Sequence, residues 1–263
     1  MIISITIIFF ILGLIIGSFL NVVIARYNTQ KSFGGRSACM SCQSQLRPHE
    51  LIPLVSFFAL AGRCQSCKTK ISIQYPLVEF VTGLVFALLF LKFQNVFFVA
   101  TILFAVTYAY YSIMFCLLLV IAVYDLKHKI IPDVLSLVFG VLAFLGLFFF
   151  SNFGFYPHTP GILELFSGVL IALPFAFIWL VSSGTWMGLG DAKLALGIGY
   201  LLGIGRALSS LVIAFWSGAI IGLILIVLSK KYKMKSEIPF APFMVLGAAL
   251  AFLFELHFFP IGF

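Results

Sequence analysis

Eight apolar runs, each near the length of a membrane crossing, dictate what this chain can fold into. A helical crossing needs ~20 predominantly apolar residues, and such runs lie at 2–25, 75–91, 96–123, 134–150, 165–183, 192–205, 208–228 and 239–257. The run at 192–205 is the shortest and is rich in glycine. At 63% hydrophobic and 9% charged residues, with a mean hydropathy of +1.20, the chain falls outside the usage of soluble globular domains. The expected fold is an all-α polytopic membrane protein of about eight transmembrane helices. A single long polar segment, residues 26–75, separates the first run from the others. No basic residue precedes the first run and no small-residue cleavage site follows it, so it reads as a retained helix.

Lys and Arg are unevenly distributed between the connections. With the N-terminus outside, the inner connections hold Arg26, Lys31, Arg36, Arg47, Arg63, Lys68 and Lys70, then Lys127 and Lys129, then Lys193, then Lys230, Lys231, Lys233 and Lys235. Only Lys92 and Arg206 of the 16 basic residues fall outside. Basic connections stay in the cytoplasm, so this orientation is the expected one. The net charge of +8 therefore reads as a topology signal and not as a nucleic-acid surface.

The polar segment carries Cys39-x-x-Cys42 and Cys64-x-x-Cys67, with 21 residues between the pairs. Two such pairs at this spacing form the ligand set of a structural zinc site with four thiolates. A disulfide is the rival, disfavoured on a reducing cytoplasmic side, and four cysteines leave no open position for a catalytic metal. Cys116, inside the third run, reads as a packing residue.

Charge inside apolar sequence is costly and marks function. Asp125 directly follows the third run, and Asp191 stands in Gly188-Leu189-Gly190-Asp191. Two complete spans separate them, so both return to the same membrane face. Two carboxylates at one place are the machinery of an aspartic protease, one taking a proton from water while the other polarises the scissile carbonyl. Gly188 and Gly190 would open a cleft for the substrate backbone. Asp133, after Ile131-Pro132, reads as an N-cap or first-turn acid of the next helix. Asn21 reads as an interhelical hydrogen-bond donor, and Gly199 and Gly203 as a close-packing pair. Glu79, near the start of the second run, reads either as a first-turn acid or, with Gly83 on the same face, as part of a small-ligand site. Two prolines, Pro239 and Pro242, give the last run a broken entry, one that can line the cleft. His158, in the 151–164 connection, reads as solvated surface.

These motifs together, in this order, resemble the bifunctional type IV prepilin leader peptidase/N-methyltransferases of bacteria. The resemblance rests on Gly17-Ser18-Phe19-Leu20-Asn21, the two cysteine pairs, Tyr75-Pro76-Leu77-Val78-Glu79, Asp125 through Ile131-Pro132-Asp133, and Gly188-Leu189-Gly190-Asp191-Ala192-Lys193. It implies an inner-membrane enzyme that uses Asp125 and Asp191 to cut the short basic leader, after a glycine, from precursors of pili or type II secretion pseudopili. It further implies methylation of the new N-terminal residue from S-adenosylmethionine, for which no glycine-rich nucleotide fingerprint is present and to which Glu79 and Gly83 are assigned. The expected division is a first transmembrane helix (1–25), a cytoplasmic zinc-binding domain (26–75) and a transmembrane peptidase domain (76–263). Its expected partners are prepilin-like precursors and the lipid bilayer. Two alternatives stay open on residues alone: a presenilin-like intramembrane protease, and a cation or proton transporter using the two membrane aspartates.

Overall fold

A computed structural model describes residues 1–29, 32, 34–151, 154–228 and 238–259. Lys31 and the basic turn Lys230–Lys235 lie outside the described residues. The chain forms two compact units, Met1–Gln94 and Asn95–Phe263.

In the first unit, α1 (Ile2–Arg26) is followed by a 3₁₀ turn (Pro48–Leu51), a short α2 (Val55–Ala59) and α3 (Gln74–Val99). Helices α1 and α3 touch through glycine: a Cβ on Gly17 would come within 2.7 Å of Glu79 Cα. Association of helices in lipid relies on such close backbone approach, because burying apolar surface there gains nothing over lipid. Asn21 Nδ2 donates to the Tyr75 carbonyl across the same contact at 3.0 Å, the interhelical role expected of it.

The second unit holds α4 (Thr101–His128), α5 (Asp133–Gly146), a two-residue hairpin of β1 (Phe150–Ser151) and β2 (Gly154–Phe155), α6 (Ile162–Ser182), α7 (Leu189–Leu228) and α8 (Ala241–Leu253). Helix α7 packs against α5, α6 and α8, and α4 packs on α5 and α8. Leu118, Ile121, Leu194, Ile198 and Met244 are completely enclosed between them.

Among the described residues, five helices are long and apolar enough to cross a membrane, while α5 and α8 are apolar but shorter. Helix α7, at 40 residues, would measure about 60 Å if straight, twice a ~30 Å hydrocarbon core. It is instead broken at Gly203, where φ is 71° and ψ 167°. With its halves counted apart, the described residues contain the eight apolar segments expected. The break also separates the two glycines of the supposed packing pair. Gly199 does admit another backbone, since its Cβ would lie 2.7 Å from Gly168 Cα, whereas nothing lies within 4 Å of a Cβ on Gly203. Gly203 is there for its backbone angle. Ser167 Oγ donates to the Gly199 carbonyl at 3.0 Å, fastening α6 to α7. Gly199→Val will force the two helices apart and lower stability by about 1–3 kcal/mol, read as an earlier thermal unfolding in detergent; an unchanged transition would show that this contact gives way.

Helix α5 stops at Gly146, short of residue 150 where its apolar run ends. The following phenylalanines are apolar without being helical: Phe150 stacks on Tyr110 at 3.9 Å between ring centroids, and Phe155 N–H donates to Thr107 Oγ1 at 2.9 Å. His158 is half-buried, its Nδ1 2.9 Å from the Tyr156 carbonyl and its Nε2 3.9 Å from Glu164, so it is less free than its sequence context suggests.

Candidate active site and metal centre

Asp125 sits in the last turn of α4 and is only 5% exposed. Its Oδ2 accepts the backbone N–H of Ala241, the first residue of α8, at 3.3 Å. That amide is free to serve because the first N–H groups of a helix have no intrahelical partner. Asp191 lies in the first turn of α7, where the positive end of the helix dipole favours a carboxylate. Its own N–H donates to the Gly188 carbonyl at 3.3 Å. Both aspartates line one cavity of about 630 Å³, with Gly188, Gly190 and the broken approach to α8 at Ile238–Phe240, and they are within electrostatic reach of each other.

The two cleft glycines differ in what they admit. A Cβ on Gly188 would meet nothing closer than 3.8 Å, whereas one on Gly190 would sit 2.8 Å from Ile131 Cβ. Neither takes a positive φ. Gly190 thus lets the α4–α5 connection press against the start of α7, whereas a side chain on Gly188 would meet only ordinary contacts, the nearest being Asp191 Oδ2 at 3.8 Å. A second tie joins the same elements: Lys193 Nζ lies 2.6 Å from Asp133 Oδ1. Asp133 is the first-turn acid of α5, as expected, but its ion pair was not foreseen. The available signal was that Asp133 and Lys193 stand at the same membrane face under an even count of crossings.

In the first unit, Glu79 is 9% exposed, and its Oε2 accepts the Leu54 N–H at 2.9 Å. Leu54 holds φ at 59°, an angle that costs a non-glycine residue energy and that recurs where function imposes it. Nearby Asn21 is 3% exposed, and its Oδ1 has no hydrogen-bond partner among the described residues. Gly83 is occupied from α1, with the Phe10 ring and Leu14 about 3 Å from where its Cβ would be. It serves the packing of α1 against α3.

The four cysteines converge. The Sγ atoms of Cys39, Cys42, Cys64 and Cys67 all lie within 4.8 Å of one another, and all four are free thiols. A tetrahedral site with metal–sulfur bonds of ~2.3 Å needs sulfur–sulfur edges of about 3.8 Å; Cys39 and Cys67 lie 3.8 Å apart. The donor set can therefore bind a metal ion.

The two cysteine pairs adopt one turn, made twice. Cys39 N–H bonds the Ser44 carbonyl and Gln43 N–H the Cys39 carbonyl; Cys64 bonds Thr69 and Lys68 bonds Cys64 in the same way. Bridges flank both turns at equal offsets, Ala38 with Gln45 and Arg63 with Lys70. Gln43 and Lys68 share a left-handed φ of 57° and 59°. A hydroxyl also stands two residues past the second cysteine of each pair: Ser44 Oγ is 3.0 Å from Cys42 Sγ and Thr69 Oγ1 3.2 Å from Cys67 Sγ. The hydrogen bond with Thr69 pulls the Cys67 thiol down to about 6, and the one with Ser44 lowers Cys42. Both shifts favour the thiolate that a metal requires.

The fold and this cavity define a multi-pass membrane protein with two carboxylates facing one space at the ends of apolar helices. Residues 11–93 match the bacterial peptidase A24 N-terminal domain, and residues 112–227 match the type IV leader peptidase family. Relatives named prepilin leader peptidase/N-methyltransferase include one from Pseudomonas aeruginosa, 32% identical over 92% of this chain and 88% of its own length. Another, from Bacillus subtilis, is 31% identical over 94% and 93%. A third, from Myxococcus xanthus, is 33% identical over 87% of this chain, which spans only 65% of that relative's length. No solved structure matches the chain. The chain belongs to the prepilin leader peptidase/N-methyltransferase family, and it is a multi-pass enzyme of the inner membrane.

Proposed function

We propose that this chain removes the leader of type IV prepilin-like precursors with Asp125 and Asp191 as its catalytic dyad, and then methylates the new N-terminal residue. The observation that carries the first activity is that both aspartates line one cavity. Two carboxylates facing each other share a proton because both cannot ionise together. The ionised member takes a proton from water as it attacks the scissile carbonyl, and the protonated member donates to that carbonyl's oxygen. The titration belongs to the pair and not to either residue. Gly188, which lines the cavity beside Asp191 without a crowded α-carbon, is where the precursor's backbone can lie against the site. The distribution of basic residues supports an active site at the cytoplasmic face and an N-terminus outside.

Residues 1–25 then act as the first span, 26–75 as a cytoplasmic metal-holding domain and 76–263 as the peptidase part. Cys39, Cys42, Cys64 and Cys67 would hold structural zinc, the metal suited to a closed set of four thiolates.

S-adenosylmethionine would supply the methyl group. The orphaned Asn21 Oδ1 and the Glu79 carboxylate, on facing helices, fit a cationic or amine-bearing ligand, since both are acceptors. Glu79 takes the proton that the new α-amino group must shed, and Gly83 keeps α1 close enough for Asn21 to reach α3. Glu79→Gln will lower methylation by roughly 10²-fold or more while leader cleavage continues, measured as the mass of the product's N-terminal peptide. Equal loss of both products would assign Glu79 to folding instead. The reading as a whole is tested by incubating the detergent-solubilised chain with a type IV prepilin and sequencing the product's N-terminus. Intact precursor after that incubation would overturn it.

A further inference from the structure

The cavity that holds Asp125 and Asp191 also holds charges that the cleavage chemistry does not use. Lys193 and Asp133 are paired at 2.6 Å, with side chains 42% and 74% exposed, and both line the cavity. An ion pair this exposed contributes little to stability, so holding the fold is a poor account of it. Lys193 lies two residues beyond Asp191, and Asp133 follows Ile131, the residue seated on Gly190. The pair is therefore tied on both sides to the backbone that carries Asp191.

From the elements around the cavity, the titratable and charged groups among the described residues are few. Helix α4 offers Asp125 and, at its end, Lys129, with Lys127 and His128 beside them; the His128 ring packs on Tyr124 at 4.4 Å. Helix α5 offers Asp133, and α7 offers Asp191 and Lys193. Neither the 184–190 approach to α7 nor Ile238–Phe240 before α8 adds a charge.

We infer that the Asp133–Lys193 pair is a charge-neutral clamp that sets how many protons the Asp125–Asp191 dyad holds, making both residues positioning residues of the cleavage reaction. The inference rests on the dyad reading above. A dyad works while it holds one proton, and any uncompensated charge in the same cavity moves the pH range in which it does so. Paired, Lys193 and Asp133 cancel. Separated, each acts on the dyad with its full charge and opposite sign.

The signs are fixed by electrostatics. In Asp133→Asn the unpaired Lys193 ammonium favours the doubly ionised dyad, so the bell of cleavage rate against pH moves to lower pH. In Lys193→Met the unpaired Asp133 carboxylate opposes ionisation, so the bell moves to higher pH. Each shift should be roughly half a pH unit for one charge in a partly solvated cavity. Lys193→Met combined with Asp133→Asn returns the bell towards its wild-type position, and so does the exchanged pair Asp133→Lys with Lys193→Asp.

The experiment is the pH dependence of kcat for prepilin cleavage by each single variant, both double variants and the conservative Asp133→Glu and Lys193→Arg, at matched membrane levels. Opposite shifts in the singles, recovery in the doubles and retention in the conservative variants support the clamp. Singles that lose rate equally at every pH, or that shift in the same direction, overturn it in favour of a purely structural tie. Failure of the dyad itself has a different signature, cleavage that survives Asp125→Asn or Asp191→Asn, so the two readings fall separately.

Discussion

Asparagine in place of Asp125 or of Asp191 will stop leader cleavage, lowering its rate by roughly 10³-fold or more, while the chain reaches the membrane at its normal level. Asparagine keeps the size of the side chain and its ability to accept a hydrogen bond. For Asp125 the Ala241 N–H keeps an acceptor oxygen, so α8 retains its anchor. What is lost is the carboxyl's capacity to bind and release a proton. On the proposed dyad, in which the two acids act as one proton-sharing unit, the double variant should be little worse than either single one. Near-normal cleavage in either single variant would falsify the dyad.

Serine at both Cys39 and Cys42 will remove half of the sulfur ligands of the proposed zinc site and reduce the zinc that the chain retains to background. In small zinc domains the metal supplies most of the folding free energy, on the order of 10 kcal/mol. Segment 34–73 has little else to hold it: among the cysteines only Cys64 is buried, and the 3₁₀ turn and α2 contain no buried residue. Trypsin should then cut at Arg63 and Lys68 within minutes under conditions that leave the wild type intact. Zinc content and cleavage pattern equal to wild type would show that the cysteines have some other task. The Leu54 amide on Glu79 belongs to this segment, so methylation should suffer before peptide cleavage does.

Much of this was legible beforehand, for identifiable reasons. Spans announce themselves because lipid demands an apolar helix for every crossing. The convergence of the four cysteines was readable from spacing alone, and the two aspartates that line one cavity from charge placed where charge is costly. Hidden from the sequence were contacts that depend on which helices meet. Nothing in Asp133 or Lys193 separately names the other. Gly190 carries the same letter as Gly188 yet faces Ile131, and Gly203 continues a packing motif on paper while breaking the helix in space. The hairpin at Phe150–Phe155 was masked because phenylalanine raises hydropathy without specifying helix. The doubling of the cysteine turn was also missed, although Ser44 and Thr69 at equal offsets were its visible trace.

That doubling has a consequence for how the metal is captured. Each turn by itself is a two-toothed chelator with its sulfurs already aimed, so one turn can take an ion before the other arrives. The 21 residues between the pairs then act as a tether that keeps the second pair of sulfurs at high effective concentration. Lengthening or shortening that tether changes the closure cost only slowly, as the logarithm of its length. The tether is thus free to vary in sequence for a second purpose, and it is here that the chain carries Leu54.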